Sequence, residues 1–228
     1  IRIPAAHNNL VGLRGTQGLS SRRGIVPLSH TQDIAGPIAR GVSDLAVVLD
    51  ATVGFDAGDP QTAQSVGNLP ASYLDGLSPG ALQGKRIGVV EELLLVDHED
   101  SEVVAVIGQA TAELAAAGAE LVRVRFPNLD VVVNAEPTGF FVLAHDFKTD
   151  INAYLAAHPD APVKSLTEIL ASGKYNPSID QVLRVSESMT EESEAVYRSA
   201  LAQRKVIREA VLAAMAEQNL DALAYPTI

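Results

Sequence analysis

Apolar positions recur along this chain with two periods, and the periods locate its regular elements. Lys85-Arg86-Ile87-Gly88-Val89-Val90 predicts a short buried strand. Val103, Ile107, Ala110 and Leu114 fall at helical spacing, and Gly118 closes that helix. Ala119-Glu120-Leu121-Val122-Arg123-Val124 predicts a second strand, with apolar/polar alternation near its end. Strand, helix and strand with short joins make a βαβ unit, hence two parallel strands and a right-handed crossover. Residues 131–157 predict a helix with one apolar side, carrying Phe140, Phe141, Leu143, Ala144, Phe147, Ile151, Tyr154 and Leu155. A short helix follows over 161–171, a loop over 173–180, and a long amphipathic helix over 188–217 with Val196, Ala200, Ile207, Val211 and Met215 on one face. A strand at 221–225 closes the series. The fold class is α/β.

The first 37 residues follow neither period. They are rich in Gly and Pro, yet carry Val11, Leu13, Leu19, Ile25, Val26 and Leu28. A flexible linker would lack those apolar residues. The stretch therefore reads as ordered, irregular backbone with short strands, lining something. Ser43 or Asp44 is expected to cap a helix through Leu45, Val48, Leu49 and Thr52, stopped by Gly54. Residues 55–84 are turn-rich and should cross the surface.

Composition narrows the class of function. Hydrophobic residues at 47% and charged residues at 20% of 228 describe a globular chain and exclude disorder. Seventeen Lys and Arg against 28 Asp and Glu leave a formal charge of −11. With no basic run longer than two residues, the chain lacks the cationic face that nucleic acid needs. The absence of Cys removes disulfides, thiolate nucleophiles and Cys-based zinc sites. No apolar stretch approaches the ~20 residues of a membrane span.

Local motif searches return little. The metal, calcium-loop and phosphate-loop patterns are absent, and Gly12-Leu13-Arg14-Gly15-Thr16-Gln17-Gly18 has the wrong Gly spacing for a dinucleotide turn. Gly41-Val42-Ser43-Asp44-Leu45 lacks the second Gly of a nucleophile elbow. Among the five His, His98 and His158 read as solvated, His7 and His30 lie in the Gly-rich region, and His145 lies on the aromatic helix. Glu187, Glu191, Glu192 and Glu194 read as a solvated helix start, not a metal site.

Longer segments are more specific. Ile1-Arg2-Ile3-Pro4, Val11-Gly12-Leu13-Arg14, Ser21-Arg22, Gly24-Ile25-Val26-Pro27 and Gln32-Asp33-Ile34-Ala35-Gly36-Pro37 follow in order. Arg86-Ile87-Gly88-Val89, the run Asp146 to Leu155 and Asp221 to Thr227 continue it. Together they resemble the amidase signature family, over essentially all 228 residues. The Asp146 to Leu155 run looks most like bacterial and fungal amidases and peptide amidases. Gly15 departs from the pattern, standing where the family usually has Pro.

That resemblance implies an α/β/α fold, a mixed β-sheet flanked by helices on both faces, of which residues 1–228 would be a single partial domain, incomplete at both ends. It implies amide-bond hydrolysis through a Ser acyl-enzyme, with a Ser–cis-Ser–Lys triad and no metal or other cofactor. The family's nucleophile directly precedes Ile-Arg-x-Pro, so here it would be the residue before Ile1. The bridging Ser and the Lys would lie further upstream, leaving no catalytic residue in this chain and the isolated polypeptide inactive. Site support would come from Arg2 and Asp33. Candidate substrate-pocket residues are Thr31, Gln32, Phe141, His145 and Phe147, although an aromatic stripe is more often plain core.

The implied partners are a small-molecule or peptide amide substrate and the upstream half of the same protein, with no nucleic acid and no membrane. A homodimer is left open. The compartment expected is the cytoplasm, with secretion left open. Both ends read as cuts, and a surface facing the missing part should expose apolar area. Two competing readings remain: a protein resembling the amidase-type subunit of a glutamine-dependent amidotransferase, and a non-catalytic binding module on the same fold.

Overall fold

The computed structural model describes residues 1–93, 101–126 and 139–227. The βαβ unit forms as its pattern dictates: β3 (Arg86–Val90), α3 (Ser101–Ala116) and β4 (Glu120–Val124). Strand β3 pairs in parallel with β4, Val90 opposite Val124, and in parallel with the closing strand β5 (Ala222–Ala224), Ile87 opposite Ala222. The order is β4-β3-β5. Ile87, Val89 and Val90 are buried, as a central parallel strand requires. Val90, Val124 and Phe126 centre the core here, with Val211 and Ala214 of the last helix packed against it. Helix α3 keeps Val103, Ile107 and Leu114 half-buried, but Thr111 rather than Ala110 takes the intervening inward position. Val104 and Val106 stand exposed on its other side.

The opening stretch is more regular than its composition suggests. Arg2–His7 form a short helix, α1, with Pro4 in the first turn, where a missing N–H breaks no helical bond. The chain reverses into β1 (Val11–Gly12), which pairs antiparallel with β2 (Ile38–Ala39), Gly12 opposite Ile38. The described sheet strands therefore mix an antiparallel pair with three parallel strands. Helix α2 (Val42–Thr52) starts at Gly41 with no side-chain cap, so neither Ser43 nor Asp44 caps it. Asp44 instead sits in the first turn, where its charge suits the helix dipole. Leu45, Ala46 and Leu49 are buried, whereas Val48 is exposed.

The C-terminal half is helical. Helix α4 (Phe140–Ala156) carries the aromatic pattern; residues 131–138 of the expected helix, and His98, lie outside the described residues. Burial is not confined to one side of α4, because Val142, Ala144, Asp146, Ile151 and Leu155 are all covered. Helix α5 (Leu166–Ser172) is capped by Ser165, whose side chain accepts from the Glu168 N–H, and ends at left-handed Gly173. Asp180–Glu187 form helix α6, which extends past the loop expected at 173–180. The long helix α7 runs Glu194–Glu217, starting six residues after the expected boundary at 188. The intervening turn is closed by Thr190, whose N–H donates to Ser193 Oγ at 3.3 Å. Ile151, Leu155, Leu166 and Leu183 form the core that joins α4, α5 and α6. Among the described residues no helix is long and apolar enough to cross a membrane.

Candidate functional site

The segment 28–37 is held from two directions, and its polar residues gain their geometry from that. On one side is α4, which presents Asp146 and Asp150 one turn apart, hence on one face. Asp146 is 1% exposed. Its Oδ2 accepts from Ser29 Oγ and Thr31 Oγ1, and its Oδ1 accepts from the Tyr197 hydroxyl of α7 at 2.7 Å. Asp150 accepts from the His30 backbone N–H at 2.6 Å and lies 3.0 Å from His30 Nδ1. Two carboxylates thus grip three consecutive residues.

Inside the segment, Asp33 Oδ2 accepts from the N–H groups of Leu28 and Ser29 at 2.7 and 2.9 Å, pinning the loop. The His30 carbonyl accepts from Gln17 Nε2 at 2.7 Å and Arg22 Nη1 at 2.8 Å. Arg14 Nη2 donates to the Gln32 carbonyl at 2.9 Å. At the far end the Leu13 N–H donates to the Pro37 carbonyl at 3.1 Å. Gly36 is packed so closely that a methyl group there would stand 2.8 Å from Ile1 Cδ1 and 2.1 Å from the Leu13 carbonyl oxygen. The segment is a bridge between Ile1 and the α4–α7 pair.

Electrostatics follow the geometry. Burial pushes the Asp146 carboxyl up, but the hydroxyls of Ser29, Thr31 and Tyr197, with His30 nearby, outweigh it and leave the group below its ordinary value. Burial, and then the bond to Asp146, raise the Tyr197 phenol well above 10. Arg204, also on α7, is lowered by burial, against which the charge of Asp146 acts. With its proton committed to Asp146, Thr31 Oγ1 can only accept from any further group. Gln32 Nε2 is buried and has no hydrogen-bond partner among the described residues, so it is a donor still to be used.

An open cavity of about 710 Å³ lies between residues 22–35 and the second half of α4. Ile25, Val26, Pro27 and Ile34 form one wall, and Tyr154 and His158, with ring centres 4.2 Å apart and planes tilted by 30°, form another. Its volume suits a small molecule. Three of the lining charges are paired, Arg22 with Asp59, Asp33 with backbone N–H, and Asp150 with His30, and Arg23 also lines the cavity.

The residues singled out from sequence scatter. Thr31, Gln32 and Asp33 lie together on the segment, and Asp33 lines the cavity. Arg2 is exposed, and its guanidinium has no partner among the described residues. Phe141 packs with Val142, Tyr197 and Ala200, and Phe147 packs against the Ile151–Leu183 core, so both serve packing here. His145 stacks on Tyr197 at 4.0 Å and lines a second cavity with Lys148, Glu191 and Glu194. Glu194 Oε2 lies 3.4 Å from His145 Nε2. Glu187 is not solvated as read, since its Oε1 accepts from Thr167 Oγ1 at 2.8 Å and its carbonyl accepts from Lys148 Nζ. Sequence reasoning missed Ser29, Asp146, Asp150 and Tyr197. The legible signal was two acids at i, i+4 within an aromatic helix. Among the described residues no group of three or more metal-ligating side chains is assembled.

A family model described as Amidase matches residues 1–228. A protein of Arabidopsis thaliana described as a probable amidase is 35% identical over 188 residues, covering 81% of this chain and 34% of that protein. A glutamyl-tRNA(Gln) amidotransferase subunit of Methanobrevibacter smithii is 30% identical over 233 residues, covering 100% of this chain and 46% of that protein. Among solved structures, the native peptide amidase of Stenotrophomonas maltophilia superposes with a TM-score of 0.82 at 34% identity, covering 100% of this chain and 48% of that one. The chain thus spans between a third and a half of these relatives.

Proposed function

Because this chain belongs to the amidase family, we propose that the protein containing it hydrolyses carboxamides, releasing ammonia or an amine through a Ser acyl-enzyme. The observation that carries the reading is the family match over the whole chain. The packing of Ile1 against Gly36 agrees with it. The motif that follows the nucleophile, Ile1-Arg2-Ile3-Pro4, lies beside the Gln32-Asp33-Ile34-Ala35-Gly36-Pro37 segment, and the reacting Ser is the residue before Ile1.

In this reading the Ser oxygen attacks the amide carbon and the amine leaves with a proton. Water then releases the acid. An alcohol needs a base to become nucleophilic, and the Lys and bridging Ser that supply it lie upstream. This chain forms the downstream wall. Gln32 Nε2 has no hydrogen-bond partner among the described residues, and Thr31 Oγ1 keeps acceptor capacity, so both can act from behind the cavity wall. The cavity between the loop and α4 takes the side group of the substrate.

The test is ammonia release from simple carboxamides by the full-length gene product, by its Ser→Ala variant at the position before Ile1, and by residues 1–228 alone. Turnover by the first only is expected, since loss of such a nucleophile removes several orders of magnitude of rate. Undiminished turnover by the Ser→Ala variant would overturn the assignment.

The 30% identity to an amidotransferase subunit over 100% of this chain favours a second reading, in which ammonia freed from glutamine is passed to an acceptor held by a partner. That reading requires glutaminase activity that rises when the partner is added. Hydrolysis of carboxamides without any partner decides for the first.

A further inference from the structure

We propose that Asp146 is a positioning residue, which acts through the 29–37 segment to set the geometry at Ile1. The inference rests on the hydrolase reading above. Asp146 is a carboxylate 1% exposed, and its three hydrogen-bond donors come from segments 51 to 117 residues away. Removing a carboxylate from water is costly, and an apolar side chain would serve packing as well or better. What an apolar residue cannot do is orient three hydroxyl groups at once. Ser29 and Thr31, both on Oδ2, fix the start of the segment. Asp150, one turn on, fixes the residue between them through its N–H. The segment has little slack beyond that point. Asp33 closes it on Leu28 and Ser29, Arg14 holds the Gln32 carbonyl, and Gly36 meets Ile1 and Leu13 without room for a methyl group. A shift of the Ser29–Thr31 anchor is therefore passed to the residues beside Ile1. Placement errors near 1 Å at a reacting centre cost on the order of 100-fold in rate.

The experiment uses the full-length gene product and a fluorophosphonate, which is attacked by an activated Ser with loss of fluoride and needs no knowledge of the substrate. Labelling rate and thermal midpoint are measured for the wild type, for Asp146→Asn, for the pair Ser29→Ala with Thr31→Val, and for Leu183→Ala. The last removes core packing at α6, away from the segment. Labelling should fall about 10- to 100-fold in the first two variants. Leu183→Ala should lower the midpoint at least as much yet label within about twofold of wild type. With a carboxamide substrate, the loss in the first two should appear in kcat more than in KM. Labelling that merely follows the midpoint across all variants would make Asp146 a structural residue and overturn the inference. A wild type that labels at the same rate as Asp146→Asn would also overturn it and leave the hydrolase reading intact. A wild type that neither labels nor releases ammonia would overturn both.

Discussion

Arg22 and Asp59, 37 residues apart in sequence, meet in a two-pronged ion pair, Nε to Oδ2 and Nη2 to Oδ1, each at 2.9 Å. The pair ties the Gly-rich opening stretch to the turn at 59–62. Both side chains are largely covered, at 18% and 7% exposed.

That pair makes an acid-stability prediction. Arg22 holds the Asp59 carboxyl down to about 2. The folded-state value lies below the unfolded one. The stabilisation is therefore complete above about pH 4 and is lost as pH falls from there toward 2. A shift of this size is worth up to about 2 kcal/mol. Asp59→Asn should cost about 3 kcal/mol at neutral pH, because it also strands a part-buried guanidinium. In urea denaturation the gap between variant and wild type should narrow as pH drops below 4. A constant gap would contradict this account.

Tyr197 should stay protonated in the folded protein. Burial and the bond to Asp146 raise its phenol above the ordinary value, so its contribution to stability is complete below about pH 10 and is lost only above that. The chain has five Tyr. Tyr197→Phe should nonetheless show the same phenolate absorbance change as wild type up to the onset of alkaline unfolding. It should also lose about 1–3 kcal/mol, since Asp146 keeps its burial with one donor fewer. A change smaller by one phenol in the variant would show that Tyr197 ionises freely.

Gly36 has no room for a side chain. Gly36→Ala places a methyl 2.1 Å from the Leu13 carbonyl oxygen, so backbone must move, at about 1–3 kcal/mol. Gly80→Ala, whose methyl would meet nothing within 4 Å, should stay within about 0.5 kcal/mol of wild type. Thermal unfolding of the two variants side by side checks the contrast. Equal midpoints would mean that Gly36 is not packed against Leu13 and Ile1 in solution.

The βαβ unit was legible because its signals are local. An apolar run, a helical period and Gly118 all lie within one or two turns of what they specify. The late start of α7 was less so, because 188–193 carry a single apolar residue, Met189, and no period there marks where the helix begins; a side-chain bond at Thr190 closes a separate turn first. Phe141 and Phe147 carried the same signal as pocket residues, and packing against the rest of the helical core separated them from the site.

By itself the sequence determined the α/β class, the parallel unit and the family, and it offered the segment Thr31-Gln32-Asp33 as a candidate. These depend on spacing along the chain, which a sequence states outright. Only the tertiary structure decided that Asp146 rather than His145 holds that segment. The two are adjacent in sequence, but the roughly 100° between successive helical residues sends them to different surroundings, one to Ser29 and Thr31 and the other to Glu194. A carboxylate's partners across 51 to 117 residues are chosen by how helices and loops pack, and no period along the chain encodes that choice.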